Sequence, residues 1–444
     1  MILHTENHKL VDDSGRLFFY TADTAWELFH KLSLDEAKLF IDNRAAKGFN
    51  VLQVVAVAEL DGLKTPARAC GCVPFKDLKT LEPDDKYFVH VKEVIAYANS
   101  RGIFIALVPM WGSYFVQNAA WGGKVKPIFD AESARRFVTY LAGVVKGLQV
   151  IWLLGGDRPY LTPVSRAVMN AMAAAIREQA GSTCLITAHS QGGRSVWDML
   201  EQPEWLDFIS WQSGHMGECY PSWRNIESDY ARTGRPVLDA EPCYESHPIM
   251  REYDFSRMDS GSRFTDFYVR RSSYWSVFSG ACGITYGCYG IWQMRREEDE
   301  NAEIPESSAS AYAGERIPYW HESLDFPGSR QIGYLRKFME SLPDPLSVRP
   351  DNRLILSDNP TGEGHMAALT NEAKSFIAVY VPHSATLCVD ISVFEGSTFD
   401  IYWYDPRYNI RNFLSSSVSE TKYLNISTPR CGGDFVLLLL KHQG

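Results

Sequence analysis

The sequence predicts an α/β protein, a (β/α)8 TIM barrel followed by a small antiparallel β-sandwich domain. Over most of the chain, short apolar runs alternate with helix-like segments, the order expected of a barrel. One run, residues 150–155, is apolar and stops at Gly155-Gly156, which is typical of a parallel strand buried on both faces. After Pro343-Asp-Pro345 only short β-rich runs remain. We therefore expect the barrel in residues 1–345 and the sandwich in residues 346–444.

Eight runs in the barrel region have the composition of strands, and turn residues separate them. They occupy residues 17–26, 49–59, 103–111, 150–155, 184–191, 206–215, 236–241 and 280–292. Segments with helical signals lie at residues 33–47, 84–100, 132–148, 163–179, 264–278 and 332–342. Ser33 and Glu36 have the spacing of a capping box, which marks a helix start. Eight strands separated by helices match a (β/α)8 barrel with insertions.

The strands predicted for the sandwich are separated by turn residues, with no helical stretch between them. They include residues 376–381, 398–404 and 435–440. Because no flexible linker precedes them, we expect the sandwich to dock on the barrel.

Composition limits the partners. The formal net charge is −10 and the Lys and Arg residues form no basic stripe, so we expect neither nucleic acid nor a membrane surface as a partner. No apolar run approaches the roughly 20 residues of a membrane span. The N-terminal residues contain no basic segment followed by an apolar one. We expect a cytoplasmic protein, or a secreted or periplasmic one if a signal was removed. The sequence does not indicate the oligomeric state.

The cysteines favour a reducing compartment. There are nine of them, an odd number spread over a long chain, which does not resemble a disulfide framework. Cys70 and Cys72 are the one close pair, but they lack the spacing and the second pair of a zinc site. We predict no metal and no cofactor.

Two acids lie at the C-terminal ends of predicted strands, where TIM-barrel enzymes have their active sites. Asp157 follows the fourth predicted strand, and Glu241 ends the seventh, directly before Pro242. Strands four and seven end on opposite sides of the barrel mouth, so these carboxyl groups can face each other across a sugar ring. Glycoside cleavage needs such a pair, about 5–5.5 Å apart in retaining enzymes and about 6.5–9.5 Å apart in inverting ones. Glu245 is the main competitor to Glu241, and Asp239 a lesser one.

Other residues at the predicted strand ends are candidates for binding a sugar. Aromatic rings can stack on its C–H faces, and polar side chains can bond its hydroxyl groups. The candidates are Asp23, Trp26, Gln53, Glu59, Trp111, Arg158, His189, Gln191, Trp211, His215, Tyr289 and Trp292. Each has a structural alternative: the tryptophans can serve packing, the histidines can be satisfied structural groups, and Asp157 can pair with Arg158 or cap the next helix.

Two alternatives to a glycosidase remain open. A metal-dependent hydrolase on a TIM barrel needs paired histidines near the first strand, where the sequence offers Asp23 alone. A non-catalytic carbohydrate-binding protein on a decayed barrel is the second alternative, and the two intact acids at strand ends disfavour it.

Several linked motifs resemble one protein family. They are Phe19-Tyr-Thr-Ala-Asp-Thr-Ala-Trp-Glu-Leu-Phe-His30, Gly48-Phe-Asn-Val-Leu-Gln53, Ala58-Glu-Leu-Asp-Gly62, Leu107-Val-Pro-Met-Trp111 and Ile151-Trp-Leu-Leu-Gly-Gly-Asp157. Together they resemble the barrel of the apiosidase-like glycoside hydrolases, which are glycoside hydrolase family 140 and its relatives, formerly a domain of unknown function. From about Leu346 onward the chain resembles the collagen-binding-type β-sandwich domain.

This resemblance implies a retaining glycoside hydrolase. Known members act on apiose linkages in plant pectin with an Asp acid/base and a Glu nucleophile, which implies Asp157 and Glu241 in these roles. We expect polysaccharide degradation by double displacement, on a plant (pectin-type) or bacterial polysaccharide or oligosaccharide. Asp157 should be protonated in the resting enzyme and Glu241 ionised. We expect the sandwich to be an accessory domain that shapes the substrate cleft.

Overall fold

The computed structural model describes residues 1–60, 62–116, 126–250, 262–301 and 317–442. Asp61, which belongs to one of the family motifs, lies outside them. A hairpin of β1 (Leu3–Glu6) and β2 (Lys9–Asp12) precedes the barrel, and its strands pair antiparallel.

Eight parallel strands with helices between them form the barrel, which confirms the predicted fold class. The barrel strands are β3 (Tyr20–Thr24), β4 (Val51–Val55), β7 (Phe104–Val108), β8 (Val150–Gly155), β9 (Ile186–His189), β10 (Ile209–Trp211), β11 (Val237–Asp239) and β12 (Gly283–Tyr286). A short hairpin, β5 (Phe75–Asp77) and β6 (Glu82–Pro83), lies between β4 and β7. All eight barrel strands lie within the predicted runs.

The sheet closes between β9 and β10 through individual hydrogen bonds. The ladder itself runs in the order β10, β11, β12, β3, β4, β7, β8, β9. At the gap, Thr187 Oγ1 donates to the carbonyl of Phe208 over 2.7 Å. The Asp207 N–H donates to the carbonyl of Ile186 over 2.9 Å, and the Ile186 N–H donates back to the Asp207 carboxylate over 2.6 Å. The strand ends therefore surround a single mouth.

Helices surround the barrel. The longer ones are α2 (Leu34–Ala46), α3 (Asp85–Ser100), α4 (Ala131–Val144), α5 (Pro163–Ala180), α7 (Ser222–Thr233), α8 (Asp266–Phe278) and α10 (Pro327–Glu340), and the one-turn helices are α1 (Leu28–Lys31), α6 (Val196–Met199) and α9 (Tyr289–Trp292). The capping box of Ser33 and Glu36 is confirmed. α7 was not predicted, and the eighth predicted strand was too long, because its second half forms α9.

The C-terminal domain contains two antiparallel sheets. Its strands are β13 (Arg349–Pro350), β14 (Ala367–Thr370), β15 (Phe376–Val381), β16 (Thr386–Asp390), β17 (Thr398–Asp405), β18 (Ile410–Val418), β19 (Tyr423–Ser427) and β20 (Phe435–Lys441). Six of them pair in the order β13, β14, β15, β20, β17, β18, and β16 pairs with β19. One face of the larger sheet packs in the same hydrophobic core as the barrel, through Tyr380, Tyr404 and Leu438.

A buried ion pair joins the two domains. Arg270 on α8 donates from Nε and Nη2 to the two carboxylate oxygens of Asp434, over 2.8 and 2.6 Å. The Trp275 indole donates to the carbonyl of His365 over 2.8 Å, and the His365 ring stacks on Trp223 at 3.8 Å between centroids. The C-terminal domain is therefore docked firmly on the helix layer of the barrel.

Cys70 and Cys72, the close pair in the sequence, form a disulfide in the loop that precedes β5. Among the residues that the structure describes, no helix is long and apolar enough to cross a membrane.

Candidate active site

The turn after β8 delivers Asp157 to the barrel mouth. Gly155 and Gly156 both have positive φ angles, and a methyl group on Gly156 would collide with the Trp111 ring. Asp157 itself has a φ of 35°. Its N–H donates to Nδ1 of His189 over 3.2 Å, and its carbonyl accepts from Nη1 of Arg158 over 2.7 Å. The two glycines thus permit a tight turn, and two side chains hold the Asp157 backbone.

Glu241 lies just beyond β11 and is surrounded by nitrogen atoms. Nε2 of His189 lies 3.0 Å from its Oε2, and Nε2 of His215 lies 3.3 Å from its Oε1. The Gln212 side-chain amide also donates to Oε1, over 2.7 Å. The imidazole of His189 therefore links the backbone of Asp157 to the carboxylate of Glu241.

The two acids have pKa values displaced in opposite directions. Burial and the nearby charge of Glu241 raise the pKa of Asp157 to about 6. Burial also raises the pKa of Glu241, but hydrogen bonds and positive charge from His189 and His215 outweigh it and hold that pKa well below its ordinary range. The pKa of Asp157 is thus above that of Glu241, so Glu241 is ionised at pH values where Asp157 still carries its proton.

The two histidines are oriented as donors. Nδ1 of His189 accepts from the Asp157 N–H, and Nδ1 of His215 accepts from the Tyr244 N–H over 3.4 Å. In the neutral tautomers, the proton is therefore on Nε2, which faces Glu241. A histidine that binds a metal needs the reverse arrangement. The ring nitrogen that faces the metal is unprotonated, and the other ring nitrogen carries the proton and donates it to a nearby acceptor. Within the described ranges no group of three or more His, Cys, Asp or Glu residues is arranged to hold a metal.

The two competitors of Glu241 bond to the helix layer instead. Glu245 accepts from the Tyr286 hydroxyl over 2.6 Å and from the N–H of Gly328, in the first turn of α10, over 3.0 Å. Asp239 accepts from the hydroxyl of Ser213 over 2.8 Å and from that of Ser276 on α8 over 3.1 Å. Both therefore stabilise the contact between strand ends and helices.

Three predicted sugar ligands are corrected by the structure. Asp23 is fully buried in an ion pair with Arg44 of α2, so it faces the helices. Gln53 is also fully buried, and its amide donates to the carbonyl of Ala240 over 2.8 Å inside the barrel. Trp211 donates its indole N–H to Asp229 of α7 over 2.6 Å, since its side chain points outward. These positions belong to the packing of the barrel.

The predicted aromatic platforms mostly support the histidines. Trp26 packs edge-on against His189 at 5.2 Å between centroids, and Trp111 lies 5.3 Å from Trp26. Tyr289 is buried beneath His247, at 4.5 Å. Trp292, at the end of α9, remains partly exposed. Of these four aromatic residues, Trp292 is thus the one that is not buried.

Glu59 and Arg158 meet beside Asp157. Nη2 of Arg158 lies 3.4 Å from Oε1 of Glu59, whose side chain is 15% exposed. Burial raises the pKa of Glu59 to about 7, although the charge of Arg158 opposes the rise. Arg158 therefore lies between Glu59 and Asp157, and binding of a sugar by either Glu59 or Arg158 stays a prediction.

Sequence reasoning missed two residues of the site. Gln212 follows Trp211 directly, and since side chains alternate along a strand, an outward Trp211 implies an inward Gln212. His247 stacks on His215 at 4.1 Å between centroids, and burial holds its pKa well below the ordinary value. It lies in a loop without periodicity, so the sequence gives no signal for it.

Two family models match the chain. The family model described as "Apiosidase-like, catalytic domain" matches residues 4–344, and "Putative collagen-binding domain of a collagenase" matches residues 349–440. No curated protein matches the chain.

Solved glycoside hydrolases share the whole architecture. A structure described as "Glycoside hydrolase" is 24% identical with a TM-score of 0.83, and the match covers 99% of this chain and 96% of that one. A glycoside hydrolase family 5 protein from Bacteroides vulgatus ATCC 8482 is 25% identical with a TM-score of 0.83, over 99% of this chain and 93% of that one. Since the family model covers most of its length, the chain belongs to the apiosidase-like family and is a glycoside hydrolase.

Proposed function

We propose that this glycosidase is a retaining enzyme that acts by double displacement, with Asp157 as the acid/base and Glu241 as the nucleophile. The substrate is an O-glycosidic bond in a plant, pectin-type, or bacterial polysaccharide or oligosaccharide. The observation that carries the proposal is the opposite displacement of two pKa values around one imidazole. Pairs of carboxyl groups with such separated pKa values are typical of acid and nucleophile assignments.

In the first step, Glu241 attacks the anomeric carbon while the bond to the leaving oxygen breaks, and Asp157 gives that oxygen its proton. In the second step, Asp157 takes a proton from water as the water oxygen attacks the anomeric carbon, which releases Glu241. His189, His215 and Gln212 hold the Glu241 carboxylate and keep it ionised before attack. Asp157 then ends each cycle protonated, as it began.

The proposal that the substrate is of the pectin type rests on the family resemblance. Apiose-containing pectin oligosaccharides are therefore the first substrates to test. The docked C-terminal domain would shape the cleft rather than act as a separate binding module, because a buried ion pair fixes it to α8.

The stereochemistry of the first product tests the mechanism. Proton NMR in the first minutes of the reaction should show the sugar released with the anomeric configuration of the substrate, before mutarotation. The double variant D157N/E241Q, purified in the same way, is the control for contaminating enzymes. An inverted first product would contradict double displacement.

A further inference from the structure

Arg158 was a candidate sugar ligand, but protein groups surround it. Its side chain is only 2% exposed. Nη1 donates to the carbonyl of Asp157 over 2.7 Å and lies 3.7 Å from Oδ2 of the same residue. Nη2 lies 3.4 Å from Oε1 of Glu59. Little of the guanidinium is left for a substrate.

We propose that Arg158 is a positioning residue for Asp157, which holds the peptide of the acid/base and places a positive charge beside its carboxyl group, with Glu59 as the counter-charge. The proposal rests on the proposed function in naming Asp157 as the acid/base. It assigns to Arg158 and Glu59 a role different from sugar binding.

The backbone of Asp157 explains why a clamp is needed. A φ of 35° lies in the left-handed region, which L-residues other than glycine rarely adopt. His189 holds the N–H side of the residue and Arg158 holds the carbonyl side. With both sides held, the carboxyl group keeps one direction. Gly112 leaves room for the arginine, since a methyl group there would come within 2.8 Å of Cγ of Arg158.

The charges around Asp157 oppose one another. Glu241 raises its pKa, whereas Arg158, His189 and His215 lower it. The pKa of Glu59 is in turn lowered by the charge of Arg158 and raised by the charges of Asp157 and Glu27. Arg158 is therefore a cation that limits how far the pKa of Asp157 can rise. Lysine could not replace it fully, because a single ammonium group cannot reach two partners with the fork geometry of a guanidinium.

A titration without substrate tests the proposal. The full chain is labelled with 13C at the aspartate carboxyl carbons, and the Asp157 signal is identified by its loss in D157N. Arg158→Met should raise the midpoint of Asp157 by about 1 pH unit, since a neighbouring cation is removed. Arg158→Lys keeps the charge, so its midpoint should stay near that of the wild type. Arg135→Met, which breaks an exposed pair with Glu178, is the matched control and should change nothing.

An unchanged midpoint in Arg158→Met, or an equal shift in Arg135→Met, would overturn the proposal. If Arg158→Met does not fold, Arg158→Gln takes its place, because it keeps a donor for the Asp157 carbonyl without the charge, and the same rise is expected. On a cleaved substrate, Arg158→Lys should lower kcat more than it changes KM, whereas loss of a sugar ligand would raise KM. If no substrate is cleaved, the proposed function fails but the titration still decides the role of Arg158.

Discussion

Glu241 and Glu245 stand four residues apart in the segment after β11, and both are buried, yet their surroundings differ in kind. The region of Glu241 faces the mouth and presents imidazole and amide nitrogens. The region of Glu245 faces the helix layer and presents a phenol and a backbone N–H. The pKa of Glu241 is held below its ordinary value, whereas burial raises the pKa of Glu245 to about 7.

The difference shows that burial alone does not mark a reactive carboxylate. Ionised carboxylates survive burial where several donors face them, and the two histidines provide this for Glu241. At Glu245 the donors from Tyr286 and Gly328 do not overcome the cost of burial. The Glu241 carboxylate is thus held ionised at the barrel mouth, whereas the Glu245 carboxylate holds the start of α10.

The largest expected effect is a loss of kcat/KM, and it should occur on substitution of Glu241 but not of Glu245. Glu241→Gln removes the proposed nucleophile, so we expect kcat/KM to fall by about 10^4-fold or more. Glu245→Gln should leave kcat/KM within about threefold, because that side chain contacts the helix layer. Initial rates on a cleaved oligosaccharide, with circular dichroism to confirm folding, make the measurement. Equal losses in both variants would remove the distinction.

Asp157→Asn should have the next largest effect, and it should depend on the leaving group. Loss of a general acid costs about 10^2–10^4-fold when the leaving oxygen needs a proton. An activated aryl glycoside of the same sugar needs little protonation, so its first step should be nearly as fast as in the wild type. Added azide should restore turnover by attacking the glycosyl enzyme on Glu241. A loss that is the same for both leaving groups would contradict the acid/base role.

The stability of Glu245→Gln should depend less on pH than that of the wild type. The folded pKa of Glu245, about 7, lies above the ordinary value of 4.5. Its contribution to stability is therefore complete below the unfolded pKa and is lost as pH rises through the folded one. Between pH 4.5 and 7 this loss amounts to roughly 3 kcal/mol in the free energy of unfolding. Urea unfolding at both pH values measures it, and parallel curves for variant and wild type would refute the assignment.

The pH dependence of kcat/KM tests the difference between Glu241 and Glu245 without any substitution. If Asp157 is the acid, with a pKa of about 6, kcat/KM should fall about tenfold per pH unit above that value. The acid limb should lie below the ordinary range of a glutamate, because Glu241 stays ionised. If Glu245 were the nucleophile, activity would instead rise through pH 7. Rates at constant ionic strength from pH 3 to 9 distinguish the two profiles.

The smallest effect should come from Gln212→Leu, which removes one of the donors to Glu241. A lost hydrogen bond to a charged group costs about 1.5–3 kcal/mol, so we expect kcat/KM to fall roughly 10–100-fold. Trp211→Phe, on the opposite face of the same strand, is the matched control and should affect stability but not turnover. A turnover defect in Trp211→Phe as large as that in Gln212→Leu would show that the strand itself, not the amide, matters.

The fold was largely predictable because barrel strands are local apolar runs and helix starts have local signals such as Ser33 and Glu36. α7 escaped prediction because its sequence is polar, with Trp223 and Ile226 among its few buried apolar residues. The acids Asp157 and Glu241 were selected by their position at strand ends, and the structure brings both to His189.

The side of the strand on which a residue lies was harder to predict. Asp23 and Trp211 stand at strand ends, but each bonds to a helix that the sequence does not place opposite it. Gln53 crosses the barrel to Ala240, a contact between positions far apart in the chain. Such pairings depend on tertiary packing, which periodicity alone does not encode.

The ion pair between Arg270 and Asp434 also limits how such a protein can evolve. A gene rearrangement that fused this barrel to a different C-terminal domain would remove the Asp434 carboxylate and leave the buried Arg270 with Asp266, 3.0 Å away on the same helix, as its acid. Removing one partner of a buried charge is destabilising. A replacement domain would therefore fit this barrel best if it brought an acid to the position of Asp434.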